Sequence, residues 1–321
     1  MIFGLNRYGW MTLAGLVLAG LAAQRAMASE NEPRRPFAEW ADVPLKGQFV
    51  AGALYEQSEA YYAWQGKQRE NITVHTPDGQ SYGIDIRQGY FTLQYGITER
   101  WAADLNVGAT TVGWRSFDNG NIAKTTGLMD LTLGVRYQLW NEAWDTNSWL
   151  PTITFRAGGV IPGGYDRYIA YRPGNHGAAI EPSLLARKHF LWTGFGAWTD
   201  LLYRWEHTTG NDQYIAAVGL FQQIKRWELD VGFRHLQATA GSDVEFIPTD
   251  GNAPYSGITY LMNVREISES VDAGFSYKNR HDMRFGFHVR KTFEGRNTDS
   301  KLWLGASIDV PFGGKKEKTL E

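Results

Sequence analysis

Cysteine is absent from all 321 positions, which excludes a disulfide framework and any thiolate metal site. Neither sign of charge dominates. Basic residues number 32 against 34 acidic ones, so nothing favours nucleic acid as a partner. After residue 28 no apolar run reaches the ~20 residues that a membrane-spanning helix needs. H-E-x-x-H, phosphate-loop, G-x-S-x-G and dinucleotide-binding glycine patterns are all missing. The seven histidines are scattered, with no pair at ligand spacing on one strand face. No metal, cofactor or catalytic residue is therefore expected, and the chain is not read as an enzyme.

Glycine (36 residues) and aromatic side chains (14%) are abundant instead. They fall in a pattern that is clearest in Tyr90–Ala109. There Phe91, Leu93 and Tyr95 alternate with Thr92 and Gln94 up to a turn at Gly96–Arg100. Trp101, Ala103, Leu105 and Val107 then alternate with Ala102, Asp104, Asn106 and Gly108. Period-2 alternation sends successive side chains to opposite faces of a strand. A soluble sandwich buries the apolar face, whereas a membrane barrel turns it out to lipid and its polar face in to a lumen.

The rest of the chain arbitrates. Arg7 precedes an apolar run from Met11 to Ala23, and Ala26-Met27-Ala28 is a small-residue cleavage site, so residues 1–28 read as a signal peptide cut after Ala28. Residues 29–45 read as a periplasmic leader, either a linker, a handle or a lumen plug. Strand candidates follow at 46–64, 80–95, 101–114, 121–140, 150–161, 178–187, 190–206, 213–224, 227–239, 264–278, 282–294 and 301–312. Connections at Gly96–Arg100, Lys188–His189, Lys225–Arg226 and Asn279–His281 are tight, with Asn141–Trp149 somewhat longer. The intervening loops at 65–79, 115–120, 162–177, 207–212, 240–263 and 295–300 are rich in Gly, Asn, Asp and Pro. Short turns on one side and longer loops on the other are the habit of outer-membrane barrels. The expected fold is all-β, a transmembrane up-and-down antiparallel β-barrel of about 12 strands over residues 46–312, with short periplasmic turns and long extracellular loops. Residues 313–321 form a charged C-terminal tail.

Aromatics gather at strand ends, as interfacial girdles require. Tyr95, Trp101, Tyr137, Trp140, Trp227, Tyr277 and Phe312 flank the short turns, and Tyr61, Tyr82, Trp205, Tyr214 and Phe293 lie towards the loops. Tyr82, Ile84 and Ile86 are out of phase with Phe91, Leu93 and Tyr95, which asks for a bulge near Gln88-Gly89. Residues 213–224 are apolar on both faces, leaving that strand's orientation open.

The inward parity carries ionised groups: Asp104, Asp130, Arg136, Arg156, Asp200, Arg204, Asp230, Arg234, Asp272, Arg284, His288, Arg290 and Asp309. These are the expected lumen-lining residues. Interleaved guanidinium and carboxylate groups either cross-link a small lumen or form a charged constriction that orients a solute. Trp192, Trp198 and Trp303 share that parity and either fill space or narrow the passage. The loop at 240–263 either folds into the mouth as a constriction or lies outside, and it or the tyrosine- and arginine-bearing loop at 162–177 could bind surface sugars by aromatic stacking.

Three segments add a resemblance. Tyr95-Gly96-Ile97-Thr98-Glu99-Arg100-Trp101, Gly127–Tyr137 (GLMDLTLGVRY) and Ile161-Pro162-Gly163-Gly164 resemble the outer-membrane barrel proteins of the "MetA-pathway of phenol degradation" type, and equally a neighbouring group of exported barrels. Met129 replaces a frequent glycine of that pattern and Gly163 a threonine. The resemblance implies an outer-membrane channel or uptake protein for small, aromatic or apolar solutes, and carries over no catalytic residue. The expected partners are outer-membrane lipid, the barrel assembly machinery and a small-molecule solute. The final strand, with Gly305, Ile308, Val310 and Phe312, resembles the C-terminal signal that this machinery reads. The alternatives are a closed structural or surface-interaction barrel filled by its ion pairs, and an outer-membrane lipid hydrolase. The last needs a serine beside an outward histidine such as His235.

Overall fold

The computed structural model describes residues 40–72, 74–75, 81–115, 122–144, 149–164, 177–190, 194–207, 211–241, 243 and 265–314. The segment read as a signal peptide, Trp192, most of the loops at 162–177 and 240–263, and the residues beyond Gly314 lie outside them.

Twelve antiparallel strands close into a barrel. They are β1 (Gln48–Gln65), β2 (Ile84–Gly96), β3 (Trp101–Arg115), β4 (Leu131–Trp140), β5 (Thr152–Ile161) and β6 (Ala179–Phe190). The second half comprises β7 (Phe195–Glu206), β8 (Gln213–Ile224), β9 (Trp227–Ala238), β10 (Ile267–Lys278), β11 (Arg284–Arg296) and β12 (Asp299–Gly313). Each pairs with its sequence neighbours, and β1 pairs with β12 from Gln48↔Gly313 to Ala60↔Lys301. Closure satisfies every edge, which is what lets strands cross a membrane. Short strands at Gln68–Asn71 and Ile122–Leu128 extend β1 and β3 on the long-loop side, where Val74–His75 also pairs with Ser81–Tyr82.

The two faces sort as an inside-out protein. Leu133, Val135, Leu229, Val231, Phe285 and Phe287 are exposed on the outer wall, while Asp104, Arg136, Arg284 and His288 are buried within. In β8, Ile215, Ala217 and Phe221 face inward and Tyr214, Val218, Leu220 and Ile224 outward, which settles its orientation. Aromatic pairs ring the outer wall beside the short turns: Phe49 with Tyr95 (4.5 Å) and Phe312 (5.4 Å), Trp101 with Tyr137 (4.6 Å), and Trp227 with Tyr277 (4.7 Å). Towards the loops, Tyr203 meets Tyr214 at 4.8 Å and Phe233 meets Phe293 at 6.2 Å. Such pairs at the two edges of the apolar belt are interfacial girdles.

The sequence reading of β2 needs correction. Its pairing with β1 runs unbroken from Phe49↔Tyr95 to Ala60↔Ile84, so there is no bulge at Gln88-Gly89. Ile84 and Ile86 instead face inward, clustered with Ala60, Ile72, Val112 and Trp303. On the outside at this level stand Glu59, Asp85 and Arg87, the last two in an ion pair at 3.0 Å. The wall here rises past the lipid belt, and beyond it polar groups face water and apolar ones turn inward.

The turn expected at Lys188–His189 also lies further on. β6 runs to Phe190, and Gly194, with φ of +69°, introduces β7. That left-handed conformation suits glycine. Elsewhere side chains shape the turns. Thr98 Oγ1 accepts the N–H groups of Arg100 and Trp101, and Asn279 Oδ1 those of His281 and Met283.

Candidate functional site

The site is the barrel interior, and its floor is built by the chain's own leader. Residues 40–44 tuck inside the short-turn end, and Leu45 emerges exposed at its rim. Trp40 and Ala41 are buried against Leu185 of β6. Arg136 of β4 donates from Nη1 to the carbonyls of Trp40 and Asp42, both at 3.0 Å, and from Nη2 to Gln94 Oε1 at 2.7 Å. Its guanidinium lies 4.3 Å from the Trp40 ring centroid. Gln138 Nε2 and Thr154 Oγ1 both donate to the Ala41 carbonyl. Arg187 closes the set with an ion pair to Asp42 Oδ2 at 2.5 Å. Every backbone carbonyl from Trp40 to Asp42 thus has a wall donor, as a buried main chain requires.

A latch sits beside this floor in the β4–β5 connection. Glu142 receives the His189 backbone N–H at 3.0 Å, lies 2.5 Å from His189 Nδ1, and is 3.4 Å from Arg187 Nη2. Burial alone pushes this carboxyl up. The His189 hydrogen bonds and the Arg187 charge overcome it and bring the group down to about 2.

Higher in the barrel the expected ionised residues gather into networks. Arg156 Nε donates to Asp104 at 2.6 Å, and its Nη1 stands 3.6 Å from Glu181. Arg204 Nε donates to the same Glu181 at 2.7 Å, with a second contact from Nη2. In the second network, Glu56 accepts from Gln88 Nε2 at 2.7 Å, lies 2.7 Å from His288 Nε2 and is 3.5 Å from Arg290 Nη2. His288 reaches Glu56 by crossing over Gly305 of the intervening β12, where any Cβ would collide with the imidazole. Arg136, Arg156, Glu56 and Glu181 are all 0% exposed, so no water-sized gap reaches them.

The other expected residues fall in different settings. Asp200, Arg234 and Asp272 are buried on the β7, β9 and β10 walls. Arg284 pairs with Glu228 at 3.5 Å. Asp230 is only partly buried. Asp130 sits where the Ile122–Leu128 strand gives way to β4, and accepts the Gly163 N–H at 2.9 Å, bracing the bend after β5. Asp309 lines a cavity described below. Glu56 and Glu181 were not among the residues expected from sequence, although both hold their networks together. Their inward parity was readable, but β1 carries Gln57 and Glu59 outward, and in β6 Leu184 and Leu185 blur the alternation.

Apolar groups fill the remaining interior. Trp198 packs with Leu202, Ile215, Phe221 and Leu236, its indole against Gly219 and Gly232. Trp303 joins the Ile84–Ile86 cluster, and Leu54, Tyr90 and Met129 form another. At the short-turn end, between the leader and the β10–β12/β1 wall, a cavity of about 400 Å³ remains. Trp40, Val43, Pro44, Val50 and Pro311 supply its apolar lining, and Gln94, Lys278, Asp282, Arg284 and Asp309 its polar one. Among the described residues no group of histidines and carboxylates is placed to hold a metal ion. His235 faces outward, 3.3 Å from Glu269, while the nearby Ser268 and Ser270 are buried on the opposite face of β10. The serine–histidine pair of a lipid hydrolase is not assembled there.

A closed barrel with an exposed apolar belt, two aromatic girdles and ionised groups within has one setting. The chain folds as an outer-membrane barrel. A solved outer membrane channel from Pseudomonas putida F1 superposes with a TM-score of 0.63 at 14% identity, over 88% of this chain and 100% of that one. The translocator domain of the autotransporter NalP from Neisseria meningitidis follows at 0.47 and 12% identity, over 94% and 98%. A mutant of the TodX monoaromatic hydrocarbon channel gives 0.42 at 11% identity, over 91% and 98%. No protein-family model and no curated protein matches the chain. Bacterial outer-membrane lipid is the environment this surface fits.

Proposed function

We propose that this barrel is an outer-membrane uptake channel for small aromatic or apolar solutes, held closed in this state by its leader and its central ion pairs. The observation that carries the reading is the floor. Residues 40–45 block one side of the short-turn end, and a cavity of about 400 Å³, sized for a small organic molecule, opens beside them. The interior wall offers aromatic and aliphatic surface, around Trp198 and Phe221 near the short turns and around Trp303 towards the loops, which suits an apolar solute. The solved barrel that this chain superposes on is described as a channel, which supports the same reading. Asp104, Arg156, Glu181 and Arg204 then form the constriction a solute must pass. Assembly into the membrane would use the β12 residues ending in Phe312.

The full burial of Arg156 and Glu181 favours a second reading, a permanently closed barrel whose lattice is purely structural. Uptake separates the two. Cells making the protein should take up a labelled monoaromatic compound faster than matched cells without it, and faster still when residues 29–45 are removed. Equal uptake by all three would leave the structural reading.

A further inference from the structure

The leader occupies a receptor. The wall beneath it presents a flat guanidinium (Arg136) stacked on an aromatic ring, and a second guanidinium (Arg187) on a carboxylate, above the apolar Leu185. Gln138 and Thr154 add donors between them. Trp40 supplies the ring and Asp42 the carboxylate. Strand pairing runs on through β4, β5 and β6 past these wall groups, with one register shift between Gln138 and Trp140. A guanidinium recognises a carboxylate by paired hydrogen bonds and an aromatic face by stacking, and it does both regardless of what carries them.

We infer that this wall is a binding site for small aromatic carboxylates, and that the Trp40-Ala41-Asp42 segment is its built-in competitor. The inference rests on the channel reading above and adds to it a substrate class and a set of residues. An incoming aromatic acid displaces the leader by taking its ring position over Arg136 and its carboxylate position at Arg187. The adjoining cavity lets both be present during the exchange. The cavity lining carries Asp42, Asp282 and Asp309 against Lys278 and Arg284, so the cavity itself offers an anion no net attraction, and Arg136 and Arg187 on the adjoining wall supply it.

Equilibrium dialysis of the detergent-solubilised mature chain tests this with indole-3-acetate as probe and indole as the uncharged control. The variant carrying Trp40→Ala and Asp42→Ala should bind indole-3-acetate at least about tenfold more tightly than the unaltered chain. Adding Arg187→Gln should abolish the gain, and indole should gain little. A synthetic peptide of residues 38–43 should displace the probe from the double variant. Heat-dependent gel mobility reports whether each variant has closed its barrel, and Asp42→Asn alone serves if the double variant has not. Equal probe binding before and after the leader is loosened would overturn the inference, as would equal gains for indole and indole-3-acetate. Binding in detergent does not depend on permeation, so a barrel that binds the acid but conducts nothing would refute the channel and not the site.

Discussion

Glu56 illustrates what a single buried charge does in this interior. It is enclosed on β1, yet its partners come from β2 (Gln88) and from β11 across β12 (His288 and Arg290). A buried pair adds little to stability in itself, because desolvation offsets the attraction, but removing one partner strands the other. Glu56→Gln should therefore cost roughly 3–5 kcal/mol, by leaving Arg290 and His288 without their acid. Urea unfolding followed by gel mobility would measure it. A loss well under 1 kcal/mol would mean that the network is solvated and the interior wetter than its burial indicates. Glu56 also marks a limit of reading residues one by one. Its inward parity follows from Leu54 and Ser58, but whether an acid meets a base depends on the stagger of strands far apart in sequence.

At the level of elements, most strands were legible because lipid outside and charge inside give strict alternation, as in β4, β9 and β11. β2 was misread where that contrast reverses, since Ile84 and Ile86 lie beyond the lipid belt and obey the rule of a water-facing wall. The leader was only partly legible. Nothing in Trp40-Ala41-Asp42 alternates, and its place is set by Arg136, Gln138 and Arg187 on other strands. Its hold is weak by design of its length. Ordering each residue costs roughly 1–2 kcal/mol, while burying Trp40 returns roughly 3 and each guanidinium hydrogen bond roughly 1.5–3. Over 40–45 these nearly cancel, so the floor can open. The Glu142 latch biases it. The folded carboxyl titrates at about 2 against an ordinary 4.5, so its stabilising contribution is complete above the ordinary value and disappears as pH falls towards 2. The thermal midpoint of Glu142→Gln should lie below that of the unaltered chain by a constant gap from pH 7 to 5, and the gap should close on further acidification. A gap that stayed the same on acidification well below the ordinary carboxylate range would contradict this assignment.

For the whole molecule, three layers follow from one inversion of polarity. The leader floors the periplasmic end, ion pairs cross-link the middle, and aromatic and aliphatic clusters line the wall from Trp198 beside the floor to Trp303 on the far side. Composition and alternation conveyed the barrel, its strand order and the inward charges. They were silent on how tightly those charges close the lumen, because filling depends on side chains meeting across the barrel axis. Single-channel recording in planar bilayers tests the central claim most directly. The chain lacking residues 1–28 should show rare, brief openings, and the chain lacking residues 1–45 should stay open far longer at the same voltage. Identical traces from the two proteins would contradict the account, because the leader would then gate nothing.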